Sequence, residues 1–164
     1  MSEATQSVSI SQHADFRFAL GFAPAAPTVL TDEAPPLGSG RGPTPVQLLA
    51  ASVGNCLAAS LLFALRKFKL AAEPISGEVQ ATVGRNAQNR LRVQRLSVHL
   101  KLGTPAAQLA NIDRVLAQFE AFCTVTESVR AGIPVDVEVR DSEGRVLAPA
   151  TASAWASDPQ IGSP

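Results

Sequence analysis

A long apolar segment near the middle of the chain, Val46–Leu65, constrains the fold more than any other feature. Its strongly polar positions are Gln47, Ser52, Asn55 and Ser60. A segment of this length and composition forms either a membrane-spanning helix or a helix buried on most sides in a globular core. Because Asn55 lies at mid-segment, where an amide in lipid would be costly, we favour the buried core helix.

Capping residues mark the start of this helix. Thr44 is a suitable cap, Pro45 fits the first helical position, and Gln47 stands three residues after the cap, which completes a capping-box pattern. Basic side chains crowd the last turns, where they complement the carbonyl end of the helix dipole. We therefore expect the helix to run from Pro45 to about Leu70.

Alternation of apolar and polar residues predicts strands on both sides of this helix. Before it, Val8 and Ile10 alternate with serines, and aromatic and aliphatic residues recur at every second position from Phe16 to Phe22. Residues 28–31 add a third short strand. After it, strands are expected near 77–83 and 91–102, and a change of phase in the second predicts a bulge near Gln94. A final strand is expected around Val135, Val137 and Val139.

Two further helices are expected between the last two strands. The first begins at Thr104-Pro105 and ends near Cys123, because apolar residues recur at helical spacing along it. The second runs from Val125 to Arg130, capped by Thr124 with Glu127 three residues later. We expect these elements to form a single domain over residues 1–142, followed by an irregular C-terminal tail over residues 143–164.

Composition excludes several function classes. The chain has 164 residues, and its 14 basic residues balance 14 acidic ones, so no long-range field attracts nucleic acid or an anionic membrane. With two histidines and two cysteines, we expect neither a metal site nor a cofactor. The N-terminal residues do not show the charged-then-apolar pattern of a secretory signal. We therefore expect a cytoplasmic protein whose thiols begin reduced.

The two cysteines occur in distinctive settings. Cys56 lies about three turns into the long helix, too far from the helix start to be activated there, so any activation comes from another segment. Cys123 immediately precedes a predicted helix, whose free N–H groups and dipole would stabilise a thiolate there. It could attack a sulfenic acid on Cys56 to close a disulfide. The alternative is that both cysteines pack as small hydrophobic residues.

Several segments resemble the OsmC/Ohr family. The stretch GPTPVQLLAASVGNC is similar to the family signature, in which a proline-initiated helix carries a cysteine. TDEAPPLGSGRGP resembles the loop before that helix, FCTVTESV resembles the second cysteine motif, and PVDVEV resembles the closing strand. The resemblance covers roughly 15–140.

This resemblance implies a fold, an assembly and an activity. The fold is α+β and OsmC-like, with antiparallel sheets around two long central helices, in an intertwined homodimer with active sites at the subunit interface. The better-studied members are thiol peroxidases of the oxidative stress response that reduce organic hydroperoxides. By resemblance, Cys56 would be the peroxidatic residue and Cys123 the resolving residue, with a dithiol as reductant.

The match is incomplete at the residues that activate the thiol. Active family peroxidases have a glutamate in the first helical turn, paired with an arginine from an upstream loop, and Val46 occupies the glutamate position here. Gln47 follows it but cannot hold an arginine by charge. Arg41 in the loop is the better candidate for the activating cation, and Arg17 the weaker one. Arg41 could equally be a solvated loop residue, and Gln47 could serve only as a cap.

Three functions follow from these observations. The first is a thiol-dependent peroxidase for organic hydroperoxides that uses Cys56 and Cys123, with Arg41 and Gln47 as supporting residues. The second is an OsmC-fold protein without efficient peroxidase activity, which binds an apolar ligand or acts as a redox-responsive protein. A membrane-anchored helical protein is the third and weakest.

Overall fold

The computed structural model describes residues 3–23 and 25–150, which form three α-helices and two β-sheets. The strands are β1 (Ser9–Ala14), β2 (Arg17–Gly21), β3 (Val29–Thr31), β4 (Ser76–Arg85), β5 (Leu91–Lys101), β6 (Val135–Arg140) and β7 (Val146–Ala148). The helices are α1 (Pro45–Lys67), α2 (Ile112–Leu116) and α3 (Thr124–Arg130). The α+β class predicted from the sequence is confirmed.

The chain divides into two units between Leu49 and Ala50. The N-terminal unit holds an antiparallel sheet in the order β1-β2-β3, with Ile10 opposite Leu20 and Phe18 opposite Thr31. This confirms the strands predicted from alternation. Much of the apolar face of this sheet is exposed, since Phe16, Phe18 and Ile10 are 48%, 36% and 68% exposed. The single domain over residues 1–142 stays a prediction.

The start of α1 forms the predicted capping box. The Thr44 backbone N–H donates to Gln47 Oε1 at 2.8 Å, and the Gln47 N–H donates to Thr44 Oγ1 at 3.3 Å. These bonds satisfy backbone groups that the first helical turn leaves without partners. The Gln47 side-chain oxygen is therefore already hydrogen-bonded at the start of α1.

The C-terminal unit is built on a four-stranded sheet in the order β4-β5-β6-β7. β4 and β5 are antiparallel, but β5 and β6 are parallel, with Leu96 opposite Val135 and Leu100 opposite Val139. The expectation of antiparallel sheets is therefore wrong for this pair. Parallel neighbours require a crossover of a dozen or more residues, and the chain between β5 and β6, which carries α2 and α3, supplies it.

The predicted bulge in β5 is present at Gln94. Thr82 on β4 pairs with Arg95, whereas its neighbour Val83 pairs with Val93, so Gln94 has no partner in the ladder. The extra residue changes which side chains face the core. Downstream of it, Leu96 and Val98 are buried.

Helix α1 buries one face in the C-terminal unit. The side chains of Val53, Leu57, Leu61 and Leu65, spaced four residues apart, are at most 1% exposed. By length and composition α1 could also cross a membrane, and it is the one helix of the described chain for which this holds. Core helices of water-soluble proteins have the same composition. The burial of α1 is confined to one face, however, whereas a helix buried on most sides was expected.

Close packing of α1 on β4 depends on Gly54. A Cβ atom at Gly54 would lie 2.5 Å from Cγ2 of Val79. We expect Gly54→Ala to lower the free energy of unfolding by about 1–3 kcal/mol, since overpacking outweighs the better helix propensity of alanine. Chemical denaturation measures this. Gly132→Ala is the matched control, because a Cβ there meets no atom within 4 Å; equal effects at both glycines would contradict the close packing.

The expectation of one long helix from Thr104 to Cys123 is wrong. That segment forms a 3₁₀ turn at Ala106–Gln108, the five-residue α2, and a second 3₁₀ turn at Glu120–Phe122. Asn111, immediately before α2, has a φ of 60°, and this left-handed conformation interrupts the helix. The apolar spacing still has a physical role, because Leu109, Ile112 and Phe119 are buried.

The predicted irregular tail, 143–164, also differs from the structure. Val146–Ala148 forms β7, which pairs antiparallel with β6 through Val139 and Ala148. The Asp141 carboxylate accepts the N–H groups of Glu143 and Arg145 and so forms the turn into β7. The rest of the tail, residues 151–164, lies outside the described residues.

Candidate active site

Cys56 lies on α1 within the C-terminal unit. Its neighbours Val53 and Leu57 are completely buried, whereas Cys56 itself is partly accessible. Phe63, two helical turns further on, lies on nearly the same face of α1 and is exposed. Cys56 therefore lies at the boundary between the buried and the exposed face of α1.

Cys123 is the N-terminal cap residue of α3. It is fully buried, and its Sγ atom lies 3.0 Å from Oγ1 of Thr126, which is also fully buried. The capping box predicted from Thr124 and Glu127 is wrong, because the helix begins one residue earlier than expected. The Glu127 carboxylate instead accepts a hydrogen bond from Arg130 at 2.9 Å.

The two sulfurs meet at the start of α3. Cys56 lies close enough to Cys123 for the two thiols to interact, and the backbone N–H groups of Val125 and Thr126 face the Cys56 sulfur. The first N–H groups of any helix have no partner within the helix, and here two of them are directed at a cysteine from α1. The sequence predicted that Cys123 would benefit from this helix end, whereas the structure gives its N–H groups to Cys56.

Burial and the second thiol raise the pKa of Cys56. Burial is the larger cause and the contact with Cys123 is the next, because both disfavour a negative charge on this sulfur. The N–H groups of Val125 and Thr126 act in the opposite direction without reversing the shift. In the free protein, most Cys56 is therefore protonated at neutral pH.

This shift predicts the pH dependence of Cys56 alkylation. Because the thiolate is the nucleophile, we expect the rate with iodoacetamide to rise about tenfold per pH unit between pH 7 and pH 8.5, without levelling off. Peptide mass spectrometry follows modification at Cys56. Cys123→Ala removes the second thiol and should move the profile to lower pH. A plateau below pH 8 in the unmodified chain would contradict the raised pKa.

Arg130 fixes the segment that carries Cys123. Its guanidinium forms ion pairs with Glu120, before Cys123, and with Glu127, after it. The same side chain donates to the Val135 carbonyl oxygen at 3.1 and 3.3 Å. Arg130 thus connects the second 3₁₀ turn, α3 and the first residue of β6.

The two arginine candidates lie in the N-terminal unit. Arg17 and Arg41 line one polar pocket of about 360 Å³, together with Asp15, Asp32, Leu37, Gly38 and Ser39. Within residues 3–23 and 25–150, neither guanidinium forms an ion pair. The pocket therefore presents two cations whose charge is not neutralised by a direct partner, and the role of Arg41 toward Cys56 stays a prediction.

Asp32 shapes the loop that carries Arg41. Its carboxylate accepts the N–H groups of Glu33, Ser39 and Arg41 at 2.9 to 3.1 Å, and the Ser39 hydroxyl at 2.6 Å. The Ser39 hydroxyl bond, followed by these backbone bonds, lowers the pKa of Asp32 to about 2 despite burial. Asp32 is therefore ionised at neutral pH, and its carboxylate oxygens accept hydrogen bonds from the loop.

Two features of the site were missed in the sequence. One is the Thr126 hydroxyl beside Cys123, and the other is the pair of N–H groups that Val125 and Thr126 direct at Cys56. A signal for the first was present, since a cysteine followed three residues later by a hydroxyl residue at a helix start brings the two side chains together. The second depends on the contact between α1 and α3, which no local pattern reveals.

Comparison with known proteins identifies the family. A family model described as OsmC-like protein matches residues 38–138, a range that contains α1, both cysteines and most of β6. The chain belongs to the OsmC-like protein family. No match is found among curated proteins.

Solved structures share this OsmC-like fold. An OsmC-like protein from Mycoplasma pneumoniae has a TM-score of 0.71 at 10% identity, covering 85% of this chain and 99% of that one. An organic hydroperoxide resistance protein from Elizabethkingia anophelis has a TM-score of 0.67 at 12% identity, with 85% and 99% covered. The organic hydroperoxide resistance protein OsmC from Legionella pneumophila has a TM-score of 0.65 at 15% identity, with 84% and 98% covered. At these identities the likeness establishes the fold alone.

Proposed function

We propose that this OsmC-like protein is a thiol-dependent peroxidase that reduces organic hydroperoxides. Cys56 is the peroxidatic residue and Cys123 the resolving residue. The observation that carries the proposal is the contact between the two thiols at the start of α3, where two N–H groups also face Cys56. A pair of packed hydrophobic cysteines would not require hydrogen-bond donors aimed at one sulfur.

The chemistry proceeds in three steps. The Cys56 thiolate attacks the peroxide oxygen, the O–O bond breaks, and an alcohol leaves while Cys56 becomes a sulfenic acid. Cys123 then attacks the oxidised sulfur, forming a disulfide and releasing water. An external dithiol reduces the disulfide by thiol exchange and restores both thiols. Because Cys56 is partly accessible and Cys123 is buried, peroxide reaches Cys56 first.

An apolar groove beside α1 supports an organic substrate. It measures about 50 Å³ and is lined by Phe63, Ala64, Lys67, Phe68, Gln118 and Phe122. Phe122 directly precedes Cys123 and Phe63 is two helical turns from Cys56, while neither cysteine is among the residues that line the groove. Such a surface favours the alkyl or aryl end of a hydroperoxide over a small polar peroxide.

One observation favours a second candidate function. The pKa of Cys56 is raised, and Val46 stands where family peroxidases have a glutamate. A protonated thiol reacts slowly, so the alternative is a redox-responsive or apolar-ligand-binding protein without efficient turnover. Under the first function, Arg41 or Arg17 supplies the activating cation when substrate binds, and Gln47 adds at most a hydrogen bond.

Peroxide consumption distinguishes these two functions. Purified protein is mixed with dithiothreitol and either cumene hydroperoxide or hydrogen peroxide, and the remaining peroxide is measured. The proposal predicts many turnovers per protein, faster with the organic hydroperoxide. A single oxidation without turnover supports the redox-responsive alternative and contradicts the peroxidase.

We also propose that the protein acts as an intertwined homodimer in the cytoplasm, with one α1 helix from each subunit at the centre. The support is the exposed apolar face of the N-terminal sheet, because exposing side chains such as Ile10 and Phe16 together to water is unfavourable. Sedimentation analysis tests the assembly. The dimer predicts twice the mass of the chain at micromolar concentration, and a monomer under these conditions would contradict it.

A further inference from the structure

Thr126 is the residue that contacts both sulfurs of the site. Its side-chain Oγ1 lies 3.0 Å from Cys123 Sγ, and its backbone N–H faces the Cys56 sulfur. Both Thr126 and Cys123 are completely buried, so water cannot take the place of either partner. A buried hydroxyl is costly unless it forms a hydrogen bond, and the bond formed here is to a sulfur that must become charged during the reaction.

We propose that the Thr126 hydroxyl is a catalytic group of the resolving step, in which it donates a hydrogen bond to the Cys123 thiolate as that sulfur attacks oxidised Cys56. The inference rests on the proposed function for its setting. A thiolate has no proton to donate, so in that state the hydroxyl must be the donor. Without this donor, the buried Cys123 would have to carry its charge in an apolar surrounding.

The resolving step conserves protons, electrons and oxygen. Cys123 loses its proton, and its electron pair forms the S–S bond with the sulfenic sulfur of Cys56. The S–O bond breaks, and the oxygen leaves as hydroxide, which takes up the proton from Cys123 and becomes water. Thr126 keeps its proton throughout, because it only donates a hydrogen bond. In the reverse exchange, when a dithiol attacks Cys56, the same hydroxyl stabilises Cys123 as the leaving thiolate.

The first test measures the Cys123 thiolate without any peroxide. In a Cys56→Ser background Cys123 is the one remaining thiol of the chain, and ultraviolet absorbance of the thiolate gives its titration. Thr126→Val, which keeps the shape and removes the hydroxyl, should shift this titration upward by about one pH unit. Thr126→Ser should restore the original midpoint. Thr124→Val, an exposed threonine of the same helix turn, is the matched control and should leave the midpoint unchanged.

The second test measures the attack itself with both cysteines present. Ellman's reagent forms a mixed disulfide at the accessible Cys56, and attack by Cys123 releases a second coloured thiolate. At neutral pH, Thr126→Val should slow this release about threefold. The variant has about tenfold less Cys123 thiolate, but each thiolate is more nucleophilic, which offsets part of the loss. The whole pH profile should move in the alkaline direction, which a purely structural role of Thr126 would not cause.

Defined outcomes would overturn the inference. It fails if, in Thr126→Val, Cys123 titrates and the second coloured thiolate is released as they are with Thr126 in place. It also fails if Thr126→Ser behaves like Thr126→Val. Thr126→Ala repeats both measurements if the valine variant does not fold. Because neither test uses a hydroperoxide, absence of peroxidase turnover would contradict the proposed function alone, and an unchanged Cys123 titration would contradict the role of Thr126 alone.

Discussion

Replacing Cys56 by serine is expected to lower hydroperoxide turnover to the background rate, a loss of at least about a thousandfold. A serine hydroxyl is a far weaker nucleophile than a thiolate, and α1 offers no second thiol at this position. The measurement is peroxide consumption with excess dithiothreitol, with the fold of the variant verified by circular dichroism.

Cys123→Ser is the matched variant, and its expected behaviour is different. Cys56 remains able to reduce one equivalent of hydroperoxide, but the sulfenic acid is not resolved and accumulates, where a cyclic diketone reagent traps it. Rapid first oxidation followed by slow turnover is the predicted result. If Cys56→Ser retained turnover while Cys123→Ser lost it entirely, the assignment of the peroxidatic residue would be reversed.

Arg130→Ala is expected to have the largest effect on stability, a loss of about 2–4 kcal/mol in the free energy of unfolding. The change leaves Glu120 without its ion pair, with its side chain only 23% exposed, and leaves the carbonyl of buried Val135 without its donor. The C-terminal end of α3 would lose its side-chain attachment to β6. We therefore also expect slower formation of the Cys56–Cys123 disulfide.

Arg66→Ala is the control for Arg130→Ala. Arg66 also forms a short ion pair, 2.9 Å from Glu73, but the two side chains are 68% and 41% exposed. Exposed pairs contribute less than about 1 kcal/mol, so this variant should unfold nearly as the unmodified chain does and keep its rate of disulfide formation. Equal losses in the two variants, measured by chemical denaturation, would show that Arg130 is an ordinary surface residue.

Local patterns predicted the elements whose residues determine their own conformation. The capping box at Thr44 and Gln47, the strands of the N-terminal sheet and the bulge at Gln94 depend on neighbours in sequence or on alternation along one strand. Apolar spacing alone was insufficient between β5 and β6. There the buried residues Ile112 and Phe119 recur as in a continuous helix, but the left-handed Asn111 breaks the chain into short turns.

The site was predicted in its residues but not in its geometry. Both cysteines were identified from their settings and their family resemblance, and the structure brings them into contact. The donors at Cys56 could not be predicted, because the backbone N–H groups of Val125 and Thr126 carry no side-chain signal. The direction of the Cys56 pKa shift depends on burial against other segments, which is a property of the tertiary structure.

The most direct measurement is the intact mass and peptide map of the protein after one equivalent of an organic hydroperoxide. If the two thiols form one reaction centre, the chain loses two hydrogens, gains no oxygen, and yields a single peptide pair joining Cys56 to Cys123 within one subunit. A lasting gain of one oxygen on Cys56, or a disulfide that joins two subunits, would contradict this account.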